Sequence, residues 1–231
     1  MNYEQARFNM IEQQIRPWEV LDNQVLSLLA LVKREDFVPH GHEALAFADL
    51  EIPLTQHLEK SPGQCMLSPK VEARTLQDLA VQKHETVLEI GTGSGYMAAL
   101  LGHRAQQVTT LEIDASLAQA ARANLQRAGM YNVEVRTADA AATLEPRTAA
   151  NNGLNGPFDV IVLSGSVASV PPQLLALLRV GGRLSAIVGN EPMMRATLVT
   201  RVGEAAWHTT QAWDTVAPRL LNFPEPSKFT F

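Results

Sequence analysis

The sequence predicts an α/β fold, a doubly wound and mostly parallel sheet carrying an N-terminal helical extension. Three observations lead there. Short apolar runs alternate with helical patterns from residue 86 onward, the rhythm of strand–helix–strand units. One such run, VLEI, ends in the glycine-rich turn GTGSG. The stretch before it is helical in period and then broken by prolines and glycines. The 231 residues suit one domain, with residues 1–82 as the extension and substrate-side segment and 83–231 as the core.

In chain order, Gln5, Phe8, Met10, Ile11 and Ile15 recur at roughly helical spacing. Asp22 is placed to N-cap a second helix carrying Val25, Leu28, Leu29 and Val32. Pro39, Gly41, Pro53, Pro62 and Gly63 mark an irregular stretch. Residues 69–82 return to helical period, with Val71, Leu76, Leu79 and Ala80 on one side. Strands follow at 86–90, 108–112, 132–136, 158–163 and 183–188, and helices at 96–103, 115–128 and 171–179. Residues 197–202 and 206–213 read as two further edge strands, antiparallel in expectation. Between Pro146 and Pro157 lies RTAANNGLNG, a small polar stretch that reads as an exposed loop with two Asn-Gly steps.

Composition limits the function. Apolar residues are 46% and charged residues 19%, ordinary for a globular chain. The formal charge of −5 argues against a dominant nucleic-acid or anionic-membrane surface. The single cysteine, Cys65, excludes an internal disulfide framework and a thiolate zinc site. The opening MNYEQARFNM has no basic segment before an apolar core, and the apolar stretch 25–32 is too short to span a bilayer. A cytoplasmic protein is the expectation.

The glycine turn is the strongest functional signal. Gly91, Thr92, Gly93, Ser94 and Gly95 stand between a strand and a helix whose first N–H groups are free for a ligand. A dinucleotide fingerprint, G-x-G-x-x-G, would put its third glycine at Tyr96. The G-x-G-x-G form instead looks like the variant of Rossmann-like folds that holds S-adenosylmethionine (SAM). Glu112 closes the second strand about 20 residues past the turn, where an acid can hold ribose hydroxyls. Asp139 follows the third strand, placed to meet an adenine amino group. Taken singly these residues also read as a turn, a surface charge and a helix N-cap. Together they converge on one crevice at the carboxyl ends of successive strands.

With these residues in place, the chain resembles the protein-L-isoaspartate O-methyltransferases. The resemblance runs from MIEQQIRPWEVLDNQVLSLLALVKREDFVP to VGGRLSAIVG. The glycine turn is shared by SAM-dependent methyltransferases at large. The IEQQI, V-x-RE-x-FVP and AFAD strings, the last at residues 46–49, look specific to this family, as does PFDVIVLSGSVASVPPQLLALLRVGGRL. The resemblance implies a class I SAM methyltransferase fold. It also implies methyl transfer from SAM, with S-adenosylhomocysteine (SAH) as product, to the free carboxylate of isoaspartyl residues in damaged proteins. It puts cofactor contacts on Glu89, Gly91, Thr92, Gly93, Glu112, Ile113 and Asp139, and the adjoining Ser94, Gly95 and Ala140 complete the candidate cofactor-side set.

Three departures concern the acceptor side. The family's G-Q-T-[IL]-S-x-P segment is here GQCMLSP, residues 63–69. Gln64, Cys65, Met66 and Leu67 form the substrate-side set. Leu67 stands where the family has its catalytic serine, and Ser68 comes one place late. The preceding LTQHLEKSP is longer than the usual loop. The family's R-F-V-P-L-like string is replaced by VAPRLLNF at 216–223, and its usual glutamine after the fifth strand by Met193.

A carboxylate acceptor is ionised near neutral pH and needs no base. A hydroxyl or amine acceptor would want one, and Asp49 and His57 are the candidates, though loop roles suit both. His40-x-His42 lacks neighbouring ligands and reads as loop rather than metal site. Cys65 reads as a small packer beside the cofactor, and Met193 and Met194 as pocket wall or core. Three alternatives accompany the isoaspartyl reading: the same fold with another, small-molecule acceptor, a SAM-binding module without turnover, and a nicotinamide oxidoreductase.

Overall fold

A computed structural model describes residues 2–55, 63–144, 154 and 156–225. The N-terminal part holds α1 (Tyr3–Met10), prolonged by a wider turn at Ile11–Ile15, and α2 (Asn23–Leu31). Asn2 and Asp22 cap these helices by accepting the Gln5 and Gln24 backbone N–H groups. Strands β1 (Ile52–Pro53) and β2 (Cys65–Met66) pair antiparallel and lead into α3 (Pro69–Leu79). The expected helix 69–82 ends early. Ala80 is exposed and left-handed (φ 46°), and its N–H closes the last turn on Leu76.

The core follows as β3 (Thr86–Ile90), α4 (Tyr96–Arg104), β4 (Gln107–Glu112), α5 (Ala115–Arg127), β5 (Val133–Thr137) and α6 (Ala140–Thr143). Then come β6 (Phe158–Val167), α7 (Pro172–Ala176), β7 (Leu178–Asn190), β8 (Met193–Gly203) and β9 (Ala206–Asp214). Among the described residues these seven strands form one sheet in the order β5-β4-β3-β6-β7-β8-β9. The first five are parallel, and β8 and β9 add antiparallel at the edge, as expected. The expected helix 171–179 is corrected. It stops at Ala176, and Leu178 already pairs with Phe158 in the sheet, so Arg179 is a strand residue.

Side-chain alternation places a core on each face. Val87, Val108, Val160 and Val162 pack with Met10, Ile15, Leu29, Phe37, Leu76 and Leu100, so the N-terminal helices share their apolar cluster with the sheet. Leu88, Ile90, Ile161 and Leu163 face the other way onto Leu174, Leu178 and Leu184. No helix among the described residues is long and apolar enough to cross a membrane.

Two features shape the crevice. The chain leaves β3 toward β4 and β5 and returns on the other side at β6, so the topological switch lies at β3. Strand β6 bulges there: between Val162↔Ser185 and Ser166↔Ile187 it advances four residues against two. The string 216–223 is not a strand but a strap across the end of β6. Ser166 donates from its backbone N–H to the Pro218 carbonyl (2.8 Å) and from its hydroxyl to the Ala217 carbonyl (2.8 Å).

Candidate functional site

A cleft of about 260 Å³ opens at the carboxyl ends of β3, β4, β5 and β6. Gly91, Gly93, Glu112, Ile113, Asp139 and Ala140 line it on one side. Gly63, Gln64, Cys65, Leu67 and, from the strap, Pro218, Arg219, Leu220, Leu221 and Phe223 close the other. A smaller inner recess continues behind the glycine turn, lined by Glu89, Thr92, Ser94, Met66, Leu67 and Glu72 among others. Of the ten residues expected on the cofactor side, nine border the crevice and Gly95 does not.

The turn is built for close approach. Gly93 sits at φ 52°, and a Cβ there would come within 3.0 Å of the Leu54 side chain. Gly95 (φ 85°) has a different reason. A Cβ on it would press on Leu125 and Ala121 of α5 at 3.3–3.4 Å, so it is glycine for helix packing. Tyr96, at the place of the missing third glycine, is 1% exposed, with its ring edge against Phe37.

The acids are held by the protein itself. Glu112 accepts the Gly93 N–H (2.8 Å) and the Asp114 N–H (3.0 Å), bracing the turn from the next strand. Burial raises its carboxyl above the usual range. Each of its oxygens keeps a further lone pair for a ligand hydroxyl. Glu89 is fully buried and accepts from Thr110 (2.7 Å) and Ser164 (2.7 Å). The Thr92 hydroxyl lies 2.6 Å from that of Thr110, so a hydrogen-bond chain links the glycine turn to Glu89. Burial pushes Glu89 up to about 7.

Asp139 is the N-cap of α6, accepting the Ala141 N–H at 2.9 Å, while its other oxygen receives the Asn222 amide at 2.8 Å. It therefore caps a helix and lines the cleft at once.

On the acceptor side Leu67 reaches both cavities and packs with Val71, Ile187, Met194 and Ala217. Ser68 opens α3 without capping it and lines neither cavity. Asp49 also lies off the cleft, 2.7 Å from Lys70, and braces the loop. Cys65 is partly buried beside Glu51, and burial with that carboxyl pushes its thiol up to about 12, away from nucleophilic use. Met194 is core, but Met193, expected as wall or core, is 82% exposed at a hairpin tip and is corrected. His40 is exposed beside Glu43. His57, most of the long loop before Gly63, and the Asn-Gly steps at Asn152-Gly153 and Asn155-Gly156 lie outside the described residues or depend on ones that do.

Ser164, Leu54, Leu220 and Asn222 were not singled out in the sequence. A signal existed for Ser164 alone. It precedes Gly165 inside an apolar strand run, and glycine there marks a bulge or a close backbone approach.

A sequence description of the protein-L-isoaspartate(D-aspartate) O-methyltransferase family matches residues 5–216. The protein-L-isoaspartate O-methyltransferase of Rhodopseudomonas palustris is 38% identical over 224 residues, covering 94% of this chain and 96% of that one. That of Koribacter versatilis is 37% identical over 195 residues, covering 84% and 81%. A solved structure from Plasmodium falciparum, described as a protein-L-isoaspartate O-methyltransferase in complex with SAH, superposes with a TM-score of 0.74. It covers 95% of this chain and 98% of its own, and at 17% identity it speaks for the fold.

Proposed function

The chain belongs to the protein-L-isoaspartate O-methyltransferase family, and on that premise we propose that it methylates the free carboxylate of isoaspartyl residues in damaged proteins. SAM is the proposed donor and SAH the product. The observation that carries the reading is the family match over residues 5–216 together with a cleft at the switch point bordered by the family's cofactor positions.

The cleft fits such a donor in its chemistry. Glu112 has free lone pairs for ribose hydroxyls, Asp139, held by Asn222, places a carboxylate at the cleft wall for the adenine amino group, and Glu89 lies under the turn where a cationic amine balances its charge. When bound, SAM supplies a methyl group activated by its sulfonium. The protein's share is alignment and exclusion of water. The backbone of residues 63–67, the strap and Leu54 close the acceptor face, and Leu67 keeps it apolar. No base is needed, so Asp49 and Ser68 need not approach the reacting atoms.

The test is methyl transfer from labelled SAM to a matched isoaspartyl and aspartyl peptide pair, with a protein-only blank. The blank removes self-methylation at any aged Asn-Gly step. Selective labelling of the isoaspartyl peptide is expected, and equal labelling of both sinks the specificity. A second reading, a different and smaller acceptor, is favoured by one observation: Leu67 and its neighbours form an apolar wall where the family has a hydroxyl. Under it, Leu67→Ser raises isoaspartyl turnover. Unchanged turnover in that variant removes this account of Leu67. Binding of SAH without transfer to any acceptor would instead leave a cofactor-binding module.

A further inference from the structure

The acceptor-side segment is tied to the rest of the molecule by a charged side chain with no exposure at all. Arg34 is 0% exposed. One of its terminal nitrogens pairs with the Glu72 carboxylate of α3. The other donates to the backbone carbonyl of Leu67 at 2.7 Å. The guanidinium lies 5.2 Å from the centre of the Tyr96 ring, the first residue of the helix that follows the glycine turn. One planar group thus touches three pieces: the segment closing the acceptor face, the helix it leads into, and the helix rising from the cofactor turn.

A buried guanidinium is costly unless every partner is in place, and hydrophobic residues of similar volume would fill the space at less cost. The fork does what they cannot. It fixes a backbone carbonyl beside the Leu67 side chain, which borders both cavities. A second buried pair, Arg7 with Glu35, lies nearby and its carboxylate is bound by Arg7 rather than tied to residues 63–67.

We propose that Arg34 is a positioning residue for methyl transfer, setting the backbone of Leu67, and so the acceptor face, against the cofactor turn. The inference rests on the methyltransferase reading. It concerns alignment in the reacting complex rather than cofactor affinity. Transfer is sensitive to displacements of about 1 Å, which can cost on the order of a hundredfold in rate.

The test compares three variants of the full chain. Arg34→Lys keeps the charge for Glu72 but loses the second arm of the fork. Arg34→Met with Glu72→Leu removes the pair without leaving a lone charge. Arg7→Met with Glu35→Leu removes the neighbouring pair as a control for buried charge in general. Each is measured for melting temperature, SAH affinity by calorimetry, and kcat and KM for the isoaspartyl peptide. Hydrogen exchange is followed over residues 63–68.

The expected result is a kcat lower by about tenfold or more in both Arg34 variants, with the SAH affinity of Arg34→Lys, which leaves Glu72 in place, within about twofold of the parent. Exchange rises in residues 63–68. The Arg7–Glu35 variant keeps its kcat and its exchange in that segment. If the Arg34–Glu72 double variant does not fold, Arg34→Lys decides. Undiminished kcat, a parallel loss of SAH affinity in Arg34→Lys, or equal kcat loss in the Arg7–Glu35 variant overturns the proposal. If the parent itself labels no isoaspartyl peptide, the functional reading fails, and exchange over 63–68 still decides whether Arg34 holds the segment.

Discussion

Replacing Glu112 by alanine separates two roles that the structure gives one carboxylate. The side chain accepts the Gly93 and Asp114 N–H groups, and in the proposed complex it also accepts ribose hydroxyls. Bonds to a charged acceptor contribute about 1.5–3 kcal/mol each, less where water can substitute. The backbone donors at the cleft mouth can be rehydrated in the variant, so most of the loss falls on the ligand. An affinity lower by about 1–3 kcal/mol is expected for SAH, roughly fivefold to 150-fold. Calorimetry with SAH and with an analogue lacking both ribose hydroxyls, on parent and variant, closes a thermodynamic cycle. Direct contact predicts that the variant's loss nearly vanishes with the analogue. Equal losses for both ligands would mean that Glu112 acts only by bracing the turn, and no loss with either would remove it from the site.

Three further outcomes follow from the same geometry. The folded-state value of Glu89, about 7, lies above the ordinary carboxylate value, so its contribution to stability is present in acid and lost as pH rises through 7. Glu89→Gln should therefore gain on the parent between pH 5 and pH 8, by up to about 3 kcal/mol in chemical denaturation without ligand; a pH-independent difference would refute the buried-charge argument. The Cys65 thiol, pushed up to about 12, should alkylate at pH 8 on the order of a thousand times more slowly in the native protein than in the unfolded chain. Alkylation at the unfolded rate would contradict its burial beside Glu51. Gly95→Ala should lower the melting temperature by about 3–8 °C, from left-handed strain plus contact with Leu125, and an unchanged melt would show that α5 yields there.

The parts of the fold legible in the sequence are those fixed by short-range period. The run TVLEI alternates between two apolar clusters, and its strand has the expected limits. The helix expected at 171–179 failed because Leu174, Leu175 and Leu178 keep helical spacing across a real boundary. Leu178 is buried as a strand partner of Phe158, not as the next helical turn. The cofactor-side residues were legible because strand, turn and helix are contiguous in the chain. Leu54, Ser164 and Leu220 reach the same cleft by a loop, a bulge and a returning strap, on which Asn222 bonds Asp139, and no local pattern announces where a strap lands. Asp139 shows the limit from the other side: taken alone it reads as a helix N-cap, yet it also lines the cleft, its two carboxylate oxygens divided between the helix N-terminus and Asn222.

This division has a consequence for where the chain tolerates change. The cofactor half is set by backbone conformations within a few residues, the left-handed Gly91 and Gly93 and the Glu112 brace, so substitutions at those positions act on the cleft directly. The acceptor half is assembled from long-range ties: Arg34 to Leu67, Ser166 to the strap, and Trp213 to Asp78 of α3 at 2.8 Å. Side chains between those ties can change while the frame stays. Leu67 is such a position, since its carbonyl is held by Arg34 whatever its side chain is. A serine hydroxyl lost there removes a positioning hydrogen bond, about 1–3 kcal/mol and so one to two decades in rate, while the carboxylate nucleophile needs no base to replace it. The departure at Leu67 therefore bears on which acceptor is aligned, and leaves the donor side of the reaction intact.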